Sequence, residues 1–216
     1  EEYWGADIDP AALLLDKREN SWNEVESRGY SVYGDITWSA TAKLDLTVGA
    51  RWTYDEKEMK TRVDDSGGAL GNNFVWEYHT DGFLEADDDW SEFTPRAAIT
   101  YELNEQVSLY ANVASGYKSG GFNAGGISAL PQIDPEGVNA YELGYKTNFG
   151  RTFQLNAAFF FYDYEGLQVP LTVTTPGGAN LTEFFNLESS QSYGIELEAV
   201  WRPVEELQVL FNYGYA

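Results

Sequence analysis

Apolar and polar residues alternate with period two along most of this chain, the signature of strands whose two faces meet unlike surroundings. From Leu44 the apolar set is Leu44, Leu46, Val48, Ala50, Trp52 and Tyr54, while Asp45, Thr47, Gly49, Arg51 and Thr53 take the other side. The same split predicts strands at Val32–Trp38, Arg96–Glu102, Val107–Ala114, Tyr141–Phe149, Phe153–Phe161, Ile195–Arg202 and Leu207–Tyr215. With Leu44–Tyr54 that makes eight strands.

The predicted connections alternate between short and long. Short ones fall at Ser39–Lys43, Leu103–Gln106, Gly150–Thr152 and Pro203–Glu206; long ones run over Lys57–Ser91, Ser119–Pro135 and Gly166–Gln191, rich in Gly, Pro, Asn and Asp. All short turns therefore lie at one end of a sheet and all long loops at the other. Beside each short turn the apolar face carries a ring, namely Trp38, Tyr101, Phe149 and Trp201. Rings aligned at one level fit a membrane interface and have no purpose in a soluble sandwich. Tyr54, Tyr117, Tyr141 and Tyr215 make a second level near the opposite end. The span between the two levels approaches the roughly 9–11 residues of a tilted transmembrane strand.

Composition narrows the function. The chain has 216 residues with 13 Lys+Arg against 35 Asp+Glu, a formal charge of −22, which argues against a nucleic-acid partner. It has no cysteine and one histidine, so disulfide scaffolds, thiolate metal sites and sites needing two imidazoles are excluded. No apolar run reaches the about 20 residues of a transmembrane helix. The start at Glu1 lacks the basic and apolar regions of a signal peptide, which leaves a cytosolic protein or a processed or excised piece of an exported one.

The polar face carries Arg51, Arg96, Glu142, Lys146, Glu196 and Glu198, with Asp35, Asp45, Glu102 and Arg202. Their mixed sign suits either a polar channel lining or a ladder of ordinary cross-strand ion pairs. Glu196 and Glu198 share a face, but no substrate signal supports a glycosidase pair, and no catalytic constellation is found. The stretch Asp55–Glu92 holds 12 acidic residues; its Asp87-Asp88-Asp89 run lacks the spaced ligands and turn glycine of a calcium loop and reads as solvated charge. Neither a metal nor a cofactor is expected. Trp76, Tyr78, His79 and Trp90 lie in the same stretch. Rings in a long loop either pack against other loops or await a ligand, and with Phe122 and Asn123 these four are the candidate ligand-binding residues. The glycine-rich Ser119–Gly126 run has no following helix and is read as a turn, not a phosphate loop.

Several segments resemble TonB-dependent outer-membrane receptors: YSVYGDITW (30–38), LTVGARWTYDE (46–56), TPRAAITY (94–101) and VSLYANVASGYKSGGFN (107–123), the last two together being the most specific. YELGYK (141–146), AAFFFYDY (157–164) and YGIELE (193–198) continue the resemblance, which covers roughly 29–216. It implies an all-β fold, an antiparallel transmembrane β-barrel wall contributing eight of about 22 strands, with 1–28 as a loop or short helix. It further implies a location in the bacterial outer membrane, contact with its lipid, a plug domain outside these residues, and coupling through that plug to the TonB–ExbB–ExbD complex. The solute would be a ferric siderophore or a similar scarce compound. No plug or TonB box is recognisable here, and Ala216 is not the terminal aromatic of a complete barrel, so an internal portion of the wall is expected. The alternative is a complete eight-stranded barrel with a structural or adhesive role.

Overall fold

The computed structural model describes residues 20–64, 80–123, 132–174 and 180–216. They form β1 (Ser21–Thr41), β2 (Leu44–Val63), β3 (Leu84–Asn104), β4 (Val107–Lys118), β5 (Gly121–Phe122), β6 (Gln132–Ile133), β7 (Glu136–Phe149), β8 (Phe153–Thr174), β9 (Asn180–Val204) and β10 (Leu207–Tyr215). Eight of these make one antiparallel sheet in the order β1-β2-β3-β4-β7-β8-β9-β10, and β5 and β6 form a small hairpin. All eight predicted strands are present and pair with their neighbours in sequence. Among the described residues β1 and β10 do not pair with each other, so the closed eight-stranded barrel is not formed.

The strands are longer than the alternation predicted. β1 begins at Ser21, β2 runs on to Val63, β3 starts at Leu84, and β8 and β9 continue to Thr174 and from Asn180. Among the described residues, most of what was expected as long loop is strand, and the Asp87-Asp88-Asp89 run lies within β3, opposite Glu58, Lys57 and Glu56. The reason is physical: backbone hydrogen bonding continues where neither face needs to be apolar, and there the period-two signal fades while the strand does not.

Register shows that the sheet is sheared. Leu44 pairs with Tyr101, three positions before β3 ends at Asn104; Val107 pairs with Thr147, two before Phe149; Phe153 pairs with Trp201, three before Val204. A steady displacement in one direction is what tilted barrel strands produce. One ladder row thus begins at Trp38 beside the first turn and passes through Leu46, Ile99, Ala111, Leu143, Phe159 and Ile195 to Tyr215, far from the last turn.

Among the described residues none packs over the apolar face. Ile36 is 70% exposed, Val48 58% and Phe211 56%, and the turn-side rings Trp38, Tyr101, Phe149 and Trp201 are all exposed. Tyr54, Tyr141 and Tyr215 stay on this face, and Tyr54 clusters with Tyr30 and Trp52. Tyr117 shares this face on the unbroken β4–β7 ladder, opposite Gly137. The β3–β4 ladder stops at Arg96–Ala114, one residue short of Pro95, which has no N–H to extend it. The Tyr117 hydroxyl is buried without a hydrogen-bond partner and lines the cleft at this parting of the strands.

Beyond Tyr30 and Tyr54 the two faces exchange character. The formerly apolar side becomes Arg28–Glu56–Asp89 and Glu26–Glu58–Asp87, while the other side carries the fully buried Met59, Thr61 and Val63. Buried hydrophobic residues among those described are only Met59, Val63 and Ile133. No described helix is long and apolar enough to cross a membrane.

Candidate functional site

The polar face gathers the residues expected there onto contiguous ladder rows. Asp35, Gly49, Arg96 and Ala114 share one row, and Arg96 Nε meets Asp35 Oδ1 at 2.6 Å. Both partners are about half exposed, so water screens this pair. Arg51 donates from Nε to Thr53 Oγ1 (3.0 Å) and lies 5.9 Å from the Tyr33 ring. Tyr110 lies flat over Gly144, where an added Cβ would collide with the ring. Its hydroxyl donates to Glu142 Oε1 at 2.5 Å, and Lys146 Nζ stands 4.9 Å from the ring centre. Glu196 and Glu198 follow on β9, opposite Ala158 and Asn156. All six predicted lining residues therefore occupy one face of the sheet.

At the far end, away from the short turns, the β5–β6 hairpin lies across this same face and is fastened on both sides. Toward β2 and β3, Lys57 Nζ donates to Gly120 O (2.6 Å), and Gln132 Nε2 donates to Asp88 Oδ2 (2.7 Å). Trp90 contacts Phe122 at 6.4 Å between centroids, and Lys57 Nζ is 5.7 Å from the Trp90 ring. Partial burial lowers the Lys57 ammonium below its usual lysine range, against the opposing pull of Asp55.

Toward β8 and β9, Asn123 Nδ2 donates to Phe184 O and the Phe184 N–H donates to Asn123 Oδ1, both 2.9 Å. Asn186 Nδ2 donates to Asp134 O and Gly166 O, and its Oδ1 accepts from the Asp134 N–H. Gln168 Nε2 donates to Ser119 O and Asp134 O. Gly166 has φ +65, and a Cβ there would lie 2.6 Å from Pro135 O, so this close approach requires glycine.

Of the candidate ligand-binding residues, Trp90, Phe122 and Asn123 are brought together on the hairpin and its seat; Trp76, Tyr78 and His79 lie outside the described residues. The anchors Lys57, Gln168, Phe184 and Asn186 were not singled out by sequence, being scattered over 130 positions. Beside the hairpin base, the parting of β3 and β4 leaves a cleft of about 660 Å³ lined by Glu92, Glu136, Asp163, Glu165 and Glu188 among others, with no Lys or Arg. The described residues contain no cluster suited to a metal ion.

Comparison with known proteins places this architecture. Residues 4–216 match the family described as TonB dependent receptor-like, beta-barrel. The pesticin receptor of Yersinia pestis is 29% identical over 187 residues, covering 82% of this chain and 25% of that protein. The probable TonB-dependent siderophore receptor PiuA of Acinetobacter baumannii is 26% identical over 193 residues, covering 86% of this chain and 23% of its own length. Among solved structures, the ferric yersiniabactin uptake receptor FyuA from Yersinia pestis superposes with TM-score 0.69 at 20% identity, over 91% of this chain and 28% of that one. The siderophore receptor PiuA from Acinetobacter baumannii gives 0.61 at 24% identity, over 91% and 26%. The chain thus spans about a quarter of the length of the curated relatives it matches. With its sheared antiparallel sheet, uncovered apolar face and polar opposite face, it belongs to the TonB-dependent receptors of the bacterial outer membrane and forms part of their β-barrel wall.

Proposed function

We propose that this chain supplies wall, channel lining and part of the outer mouth to a receptor that takes up a ferric siderophore or similar scarce solute, driven by the TonB–ExbB–ExbD complex through a plug domain. The observation that carries this reading is the pairing of an uncovered apolar face, suited to outer-membrane lipid, with a charged opposite face roofed at one end by an anchored hairpin. The names of the relatives, the siderophore receptor PiuA and the ferric yersiniabactin uptake receptor FyuA, support the solute class. Arg51, Arg96, Glu142, Lys146, Glu196 and Glu198 line the channel in this reading, and Trp76, Tyr78, His79, Trp90, Phe122 and Asn123 belong to the solute-facing mouth. None of these groups performs catalysis; they hold a polar route open and shape its entrance.

The test is uptake of radioactive iron, presented as a panel of ferric siderophores, by cells producing the full-length receptor. Accumulation of at least one chelate that stops when TonB is deleted or the proton gradient is collapsed is the expected result. Entry indifferent to both treatments would replace energised transport with passive permeation.

A further inference from the structure

The alternation on β8 continues past the predicted strand and sets Phe160, Tyr162 and Tyr164 on the polar side of the sheet. Phe160 and Tyr162 stack at 5.0 Å with ring planes 23° apart, and Tyr162 meets Tyr164 edge-on at 6.4 Å. All three rings are half-buried, with surface left open. Ala140 and Ser192 flank Tyr162, Val138 and Ser190 flank Tyr164, and Phe160 sits between Glu142 and Gly194, its ring together with Tyr215 O occupying the space of the missing Cβ. From Ala114 to Ser192 the Tyr162 row carries no charge, its Arg96 and Asp35 forming an ion pair farther along, and Gly116–Val138–Tyr164–Ser190 carries none. Tyr164 also lines the 660 Å³ cleft beside the hairpin base, so the rings lead from that cleft down toward Tyr110.

Carboxylates predominate along this strip: Arg96, three strands away on the Tyr162 row, is paired with Asp35, and Lys146 stands over Tyr110 at the far end. Glu92, Glu136 and Glu188 are among the residues lining the cleft, with no Lys or Arg, while Asp163 and Glu165 border it at β8 positions that alternate to the other face. Glu142 pairs with Phe160 across β7 and β8, and Glu196 pairs with Ala158, two residues along β8 from Phe160. A column of ring faces suits a planar π-system, and surrounding carboxylates favour a neutral or cationic guest and repel an anion. We propose that Phe160, Tyr162 and Tyr164 form a stacking track for the planar aromatic group of a neutral or cationic ligand, running from the cleft into the channel. The proposal rests on the transport reading in taking this face as the solute's route.

The test uses the full-length receptor in lipid nanodiscs, with protein-free discs subtracted, and two probes of equal ring area: 2-naphthol, which is neutral, and naphthalene-2-sulfonate, which is anionic. Naphthol is expected to bind saturably, and the sulfonate several-fold more weakly. Replacing both rings, Tyr162→Leu with Tyr164→Leu, is expected to weaken naphthol by roughly tenfold, while Tyr162→Phe with Tyr164→Phe stays within about twofold, since the ring face and not the hydroxyl does the stacking. Magnetisation transfer from receptor tyrosine protons to naphthol but not to the sulfonate gives the same answer without a variant. Absence of saturable naphthol binding, equal binding of both probes, or an unchanged affinity in the leucine variant overturns the track. Iron uptake measured on the same cells separates the two readings: uptake that persists while naphthol binding proves independent of the rings sinks the track alone, and ring-dependent binding without TonB-dependent uptake sinks the transport reading alone.

Discussion

At the scale of single residues, what a side chain costs depends on which face it occupies. Val48 points from the apolar face and is 58% exposed, whereas neighbouring Thr47 faces the polar side with its hydroxyl 2.9 Å from that of Thr37. Val48→Arg is expected to destabilise the folded receptor by about 2–4 kcal/mol if that position lies near the bilayer midplane, and Thr47→Arg by distinctly less. Unfolding titrations of both variants in vesicles measure the difference, and equal penalties would contradict the assignment of faces. Gly144 gives a second case. A methyl group there would push aside the Tyr110 ring and break its bond to Glu142, so Gly144→Ala is expected to cost about 1–3 kcal/mol. A Tyr110→Phe, Gly144→Ala double-mutant cycle, read in the same titration, should show strong coupling. The half-exposed Arg96–Asp35 pair should contribute no more than about 1 kcal/mol in such a cycle.

Among the elements, the β5–β6 hairpin has the most distinctive energetics, because its own ladder is only two residue pairs long. Such a hairpin has little stability by itself, so its position comes from the side chains that fasten it. Lys57→Met keeps the aliphatic stem but removes the bond to Gly120 O and the charge near Trp90; Asn123→Ala removes both bonds to Phe184. Each is expected to weaken the seat by about 1–2 kcal/mol, seen as faster amide hydrogen exchange at Gly121 and Ile133 with no change in β2 or β8. Unchanged protection in the double variant would mean that the hairpin is held by something other than these anchors. Sequence pattern found the strands well where one face is apolar, as in Leu44–Tyr54. It failed beyond Tyr54, where Glu56 and Glu58 alternate with Lys57 and Met59 and the ladder runs on with the faces reversed.

At the scale of the whole molecule, the sheet has, among the described residues, two bare edges, β1 over Ser21–Thr41 and β10 over Leu207–Tyr215, and one uncovered apolar face. Produced alone in buffer, these 216 residues are expected to self-associate through both features, whereas the same segment within the full-length receptor should not. Size-exclusion chromatography decides between a monomer and aggregates, and a stable monomer in buffer would deny that the apolar face needs lipid. The sequence by itself determined the strand class, the order of the eight strands, the split into apolar and polar faces and the family, since period-two alternation and short turns are local properties that no distant contact has to supply. The tertiary structure alone decided the shear of the sheet, the burial of the Tyr117 hydroxyl and the seating of the hairpin by Lys57, Gln168, Phe184 and Asn186. It also decided the column of Phe160, Tyr162 and Tyr164 beside the cleft. These depend on register between strands far apart in the chain, and a one-dimensional pattern carries no record of which residues the ladder sets side by side.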